Sequence, residues 1–203
     1  MVPAATTRRT ACLAGLALAA LALPARAQTT DRIGVPGPIV FAGTRYTLAW
    51  SAQPSASYYK QEYLPAGQTL DRYERMLLVE VLEGGSVAGA ASAQARSIGA
   101  RKGKDPLANV AVMENSRRGE IVVDFLLGGR DAQGGEIAEW NVYRYAPLKA
   151  ANGDAGVLLF AVSHRAYGEG IRDFLARLKS FRPEEIRRIA QEKLPTPKPA
   201  ASR

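Results

Sequence analysis

His164 is the only histidine among 203 residues. It sits in Ser163-His164-Arg165, at the end of an apolar run and just ahead of a glycine-bounded stretch. An imidazole there, with Arg165 and Tyr167 close in sequence, has the chemistry of a general base beside an anion-binding cation. The same residues also describe a polar strand end whose ring bonds a neighbouring carbonyl. A single histidine excludes a His-rich metal site within one chain, and no H-E-x-x-H, P-loop or G-x-S-x-G spacing occurs. Glu136 and Glu139 are three apart, so on a strand they point to opposite faces. Asp124 alternates with apolar residues, as a solvent-facing side chain would. Gly168-Glu169-Gly170 lacks the third glycine of a dinucleotide loop. No metal and no cofactor is expected.

Two groups of residues suit binding better than catalysis. Arg101, Lys102 and Lys104, with Arg96 upstream, make a basic cluster interleaved with Gly99 and Gly103. It suits an anionic ligand or protein surface, with Arg165 as a further anion-binding candidate, or it simply complements a helix dipole. Trp50, Tyr58, Tyr59 and Tyr63 are the densest aromatic group. They read as a docking face, or as side chains that pack the second face of a sheet. No aromatics interleave the basic cluster, so no nucleic-acid partner is expected.

The elements that must position these residues follow from periodicity and turn chemistry. Ile39–Phe41 and Tyr46–Trp50 flank a Gly43-Thr44 turn, and Tyr58–Tyr63 alternates as a strand. Over 69–82 strand and helix both fit, and a helical turn at 70–75 followed by a strand at 76–82 fits best. Small residues at 86–103 predict a closely packed central helix. Strands follow at 107–113, 120–127, 137–145 and 157–162, with Asn152-Gly153 a hairpin turn before the last. Ile121, Val123, Phe125 and Leu127 share one face. Trp140 and Val142 take the face opposite Tyr143 and Tyr145. Ile171, Phe174, Leu175 and Leu178 form a helical stripe, and Pro183 with Glu184 and Glu185 opens a second short helix. The fold class is α+β, a largely antiparallel sheet with a central helix and a C-terminal helix pair covering it.

Residues 1–27 have the layout of a secretory signal peptide. Arg8 and Arg9 are followed by an apolar run from Ala11 to Leu23, and Ala25-Arg26-Ala27 places cleavage between Ala27 and Gln28. The run is short of the roughly 20 residues a membrane span needs. Ordinary and twin-arginine export both remain open. The destination is periplasmic or secreted, with no transmembrane segment in the mature chain. Cys12 lies inside the signal, so the mature chain contains neither disulfide nor thiolate. The net charge of +8 also resides largely at the ends. Cleavage leaves 24 basic against 19 acidic residues, and Gln28–Phe181 holds only 18 against 16. A residual excess this small argues against a nucleic-acid binder. The expected organisation is an extended arm at 28–37, one domain at 38–192 and a disordered tail at 193–203.

The segment Glu62-Tyr63-Leu64-Pro65-Ala66-Gly67-Gln68-Thr69-Leu70-Asp71-Arg72-Tyr73 resembles a junction in exported bacterial proteins, where a strand ends in a Pro-x-Gly turn. The layout of hairpin, helix, further strands and C-terminal helix is similar to PsbP-like α/β/α sandwiches. That resemblance implies a non-enzymatic binding or assembly role and assigns no site residue. The expectation is an exported binding module for an envelope protein or an anionic ligand. The alternatives are an enzyme using His164 as base, and a small-molecule carrier with a cavity between sheet and helix.

Overall fold

The computed structural model describes residues 29–149, 153 and 155–198. The expected signal peptide with its cleavage point, Asn152 of the predicted hairpin turn, and residues 199–203 of the expected tail lie outside the described residues. In chain order the elements are β1 (Ile39–Phe41), β2 (Thr44–Ser55), β3 (Tyr58–Pro65), β4 (Arg75–Glu83), α1 (Val87–Gly99), β5 (Asn109–Asn115), β6 (Glu120–Arg130), β7 (Glu136–Lys149), β8 (Ala155–Tyr167) and α2 (Gly170–Gln191). The strands form one sheet in the order β1-β2-β3-β4-β8-β7-β6-β5. Every pairing is antiparallel. Two four-strand meanders therefore meet where β8 pairs with β4.

Side chains alternate across the sheet, and each face has its own apolar core. One face buries Tyr63, Val79, Trp140 and Phe160 against Phe174, Leu178 and Ile189 of α2. The other buries Leu78, Val123, Phe125 and Leu159 against Ala91 and Ile98 of α1. The faces predicted for Trp140, Val142, Tyr143 and Tyr145 and for the 121–127 alternation agree with this division. α1 begins where Ser86 caps it, its hydroxyl accepting from Gly89 N at 3.1 Å.

Several expectations are corrected. The C-terminal helix pair is one helix, with Pro183 inside it. Phe174, Leu178, Phe181, Glu185 and Ile189 keep one stripe toward the sheet while Pro183 faces water. The carbonyl that loses a partner to proline is thus on the hydrated side. The helical turn at 70–75 is a pair of bends. Thr69 and Arg72 exchange backbone bonds at 3.1 and 3.2 Å, and Gln68 Oε1 accepts from the amides of Glu74 and Arg75. Those bonds take up donors that a helix would have used.

The arm at 28–37 is not merely extended. Asp31 Oδ1 accepts from the amides of Ile33 and Val35, and both side chains are buried. The tail is not disordered as far as Lys198. Leu194 packs on the core, Pro197 is buried, and Lys198 N donates to Ile33 O at 2.6 Å. Asp124 does not face solvent. It is 2% exposed and points toward α2, where Trp140 Nε1 and the Arg182 guanidinium donate to it.

Candidate functional site

β3 supplies the most chemistry per residue, and alternation splits it in two. Tyr59, Gln61 and Tyr63 face the α2 side. There Gln61 Nε2 and the Tyr63 hydroxyl both donate to Val35 O, and Arg32 N donates to Gln61 Oε1 at 2.6 Å. These bonds fasten the N-terminal arm. Tyr58, Lys60 and Glu62 face the α1 side. A bulge between Leu48 and Trp50 puts Trp50 opposite Glu62, on that same face. The expected aromatic docking face is therefore corrected. Tyr59 and Tyr63 are 3% and 0% exposed in the core under α2, while Trp50 and Tyr58 lie on the opposite face.

A cleft of about 350 Å³ opens between α1 and the α1 side of the sheet. Tyr58, Lys60, Glu80, Tyr143 and Tyr145 supply its polar groups, and Leu82, Val157, Leu159 and Ala90 its apolar surface. Cross-strand register builds it. Lys60 is opposite Glu80, Glu80 opposite Leu159, and Leu159 opposite Tyr145. The small side chains of α1 leave the space. Ala90, Ala93 and Gln94 face the cleft where larger residues would close it. Lys60 Nζ lies 3.2 Å from Glu80 Oε1, and the Tyr58 hydroxyl donates to Glu80 Oε2. Burial, followed by the Glu80 charge, raises the Tyr58 and Tyr145 hydroxyls above their ordinary range. Burial does the same for Tyr143. These phenols stay protonated and serve as hydrogen-bonding groups. Glu62, on the same face, is also raised, by burial and by Glu80 and Glu139, against the pull of Lys60.

His164 lies elsewhere, on the α2 side, and is 5% exposed. Its ring stands between Trp140 and Phe181, at centroid distances of 5.4 and 5.3 Å. Its Nε2 is 3.2 Å from Glu185 Oε1. It bonds a carboxylate on α2, not a neighbouring carbonyl, and so clamps the helix to the sheet. Burial pushes the Glu185 carboxyl up, but the His164 bond and the charges of His164, Arg75 and Arg188 outweigh it and leave it lowered. Arg165 is on the other face, its Nε 2.6 Å from Glu139 Oε2 and its guanidinium 4.1 Å from the Tyr73 ring centre.

The basic cluster is divided as well. Arg101 donates to Asp105 Oδ2 and to Gly128 O at 2.6 Å, tying the end of α1 to β6. Lys102 and Lys104 are exposed in the turns that follow. Arg101 and Lys104 line one groove with Arg130 and Glu136, separate from Arg165. Among the described residues no group of three or more His, Cys, Asp or Glu is placed to hold a metal. No helix among them is long and apolar enough to cross a membrane.

A family model matches residues 33–194, from the buried Ile33 to the docked Leu194. The chain belongs to that family, one of uncharacterised function. No curated protein matches it. The matched span takes in both helices, the whole sheet and every residue of the α1-side cleft. Sequence reasoning missed Lys60, Glu80, Tyr143 and Tyr145 as one group. The available signal was Glu80, a lone carboxylate within the apolar run Met76–Leu82.

Proposed function

We propose that this chain is an exported, non-catalytic binding module that takes a small ligand between α1 and the sheet. The observation that carries the reading is the cleft itself, with three protonated tyrosines and a Lys60–Glu80 pair set in an apolar wall. Such a site is concave, largely apolar and carries a few converging polar groups, as small-ligand sites do. Glu80 is already engaged by Lys60 and Tyr58, so it orients a partner's hydrogen bonds and is not a free base. The chemistry suits a flat, neutral molecule with one hydrogen-bonding edge. Export rests on the signal-like layout of residues 1–27. The resemblance to PsbP-like sandwiches, where binding and assembly roles are common, points the same way. The enzyme reading has less support, because the His164 ring is flanked by Trp140 and Phe181 and its Nε2 is committed to Glu185.

The test is saturation-transfer NMR on Gln28–Arg203 with phenol, indole and benzamide. Wild type is expected to transfer saturation to at least one of them. Ala90→Trp, which fills the cleft from the helix side, is expected to abolish transfer while the thermal transition is retained. Equal transfer in both proteins, or none with any compound, would overturn the reading.

A further inference from the structure

At the opposite end of α2 from the docked tail, a second cleft of about 380 Å³ lies between the 72–75 segment, the end of β8 and the start of α2. Arg72, Arg75, Arg165 and Arg177 all line it, against the single carboxylate Glu74. Behind the lining lie two more carboxylates, Glu139 on Arg165 and Glu185 on His164. Among the described residues Arg72, Arg75 and Arg177 form no ion pair with a carboxylate within 4 Å.

Arg72 is also held in place. Its guanidinium stacks 4.4 Å from the Tyr167 ring centre. Tyr167 is itself fixed, its hydroxyl donating to Tyr73 O at 2.9 Å and accepting from Tyr73 N at 3.0 Å. A guanidinium laid flat on an aromatic ring keeps its in-plane N–H edge for an oxyanion. Gly170, the first residue of α2, lines the same cleft. The N-cap residue is Glu169 and Asp173 lies in the first turn, so the helix terminus itself adds no net positive charge and the arginines carry the site.

We propose that this arginine cleft is a second binding site, distinct from the α1-side cleft, and that it takes a phosphate group. Arg182 and the buried Arg144 are committed to structural pairs with Asp124 and Glu120. Around this cleft Arg72, Arg75 and Arg177 are exposed, and Arg72 is preorganised by its stack on Tyr167. A phosphate fits because its oxygens accept paired N–H bonds from more than one guanidinium at once. The phosphate has two possible sources, a soluble monoester or a lipid headgroup.

The experiment uses Gln28–Arg203 with two probes. Phenyl phosphate is titrated by calorimetry at low salt. Vesicles of phosphatidylcholine with one quarter phosphatidylglycerol are tested by co-sedimentation. Arg72→Gln and Arg177→Gln are compared with Lys104→Gln, which lies outside the cleft, after circular dichroism shows all three folded. Saturable phenyl phosphate binding, weakened at least tenfold in both arginine variants and unchanged in Lys104→Gln, would establish the site for a soluble monoester. Binding to vesicles alone, lost in the same two variants, would establish it for a headgroup. Binding to neither probe, or equal loss in Lys104→Gln, would overturn the proposal.

Discussion

The Asp124 carboxylate is predicted to be the point where α2 is most sensitive to change. It is buried on β6, accepts from Trp140 Nε1 at 2.6 Å, and receives the Arg182 guanidinium through Nε at 2.9 Å and Nη2 at 2.5 Å. Trp140 is fully buried, whereas the Arg182 side chain is 38% exposed. The two partners therefore behave differently when the bond is lost. Asp124→Ala strands the indole N–H, which costs about 1–3 kcal/mol. Arg182 regains water, so its share is about 1 kcal/mol or less. Arg182→Ala is expected to be the more damaging change. It leaves a carboxylate, 3% exposed, with one neutral donor, and a stranded buried charge costs about 3–5 kcal/mol.

The double variant removes the stranded charge and is expected to be less destabilised than the sum of the single changes, by about 2 kcal/mol. Urea unfolding followed by tryptophan fluorescence measures all four corners, with Trp140 itself reporting on the site. Arg182→Ala costing under about 1 kcal/mol, or a cycle additive to within about 0.5 kcal/mol, would refute the assignment of this pair as the lock between α2 and the sheet.

Three further outcomes follow from the same structure. Glu185 has a lowered pKa in the folded state, so its stabilisation is complete above the ordinary carboxylate value near 4.5 and is lost as pH falls through the lower folded value. Thermal unfolding of wild type is expected to weaken in that acid range, and Glu185→Gln to flatten that part of the profile; parallel profiles would contradict it. Pro183→Ala is expected to raise stability, by up to about 3 kcal/mol, because it restores an interior helix bond on the exposed side of α2. A neutral or negative result by urea titration would favour a helix boundary at Pro183. Gly156→Ala is expected to destabilise by about 1–3 kcal/mol, since a Cβ there would lie 3.0 Å from Leu82 O. An unchanged midpoint would show that the β4–β8 seam can spread.

Much of the sheet was legible because period-two alternation is a local signal. The 121–127 stripe and the opposed pairs Trp140/Val142 and Tyr143/Tyr145 fall where periodicity puts them. What was not legible is set by partners far away in the chain. Asp124 reads as a surface residue until Arg182, 58 residues on, meets it. Pro183 reads as a helix start because proline suits a first turn; only the stripe that continues through Glu185 and Ile189 makes the helix one piece. The tail reads as disordered because its prolines hide the packing of Leu194 on the core and the bond of Lys198 to the arm. The α1-side cleft was invisible because it is made by what α1 lacks, and small side chains read as close packing.

The division of β3 explains why the aromatic cluster misled. Tyr58, Tyr59 and Tyr63 are near neighbours in sequence, but a strand sends alternate side chains to opposite faces. Tyr59 and Tyr63 join the core under α2, and Tyr63 with Gln61 holds the N-terminal arm through Val35 O. Tyr58, with Lys60, faces the cleft under α1. A one-residue register slip between β3 and β4 would exchange these roles. It would bury Lys60 and Glu62 under α2 and turn Gln61 away from the arm. The cost of burying those charges unpaired makes the register self-enforcing. The arm bonds and the Lys60–Glu80 pair are thus two consequences of one pairing, and the structural and binding roles of β3 stand or fall together. Gln61→Ala should loosen the arm and leave the cleft intact, because its side chain touches only the α2 side. Faster amide exchange at Arg32, with unchanged ligand response by the Ala90→Trp comparison, is the expected result. Loss of both would mean that the two faces are coupled through the backbone of β3 as well as through its register.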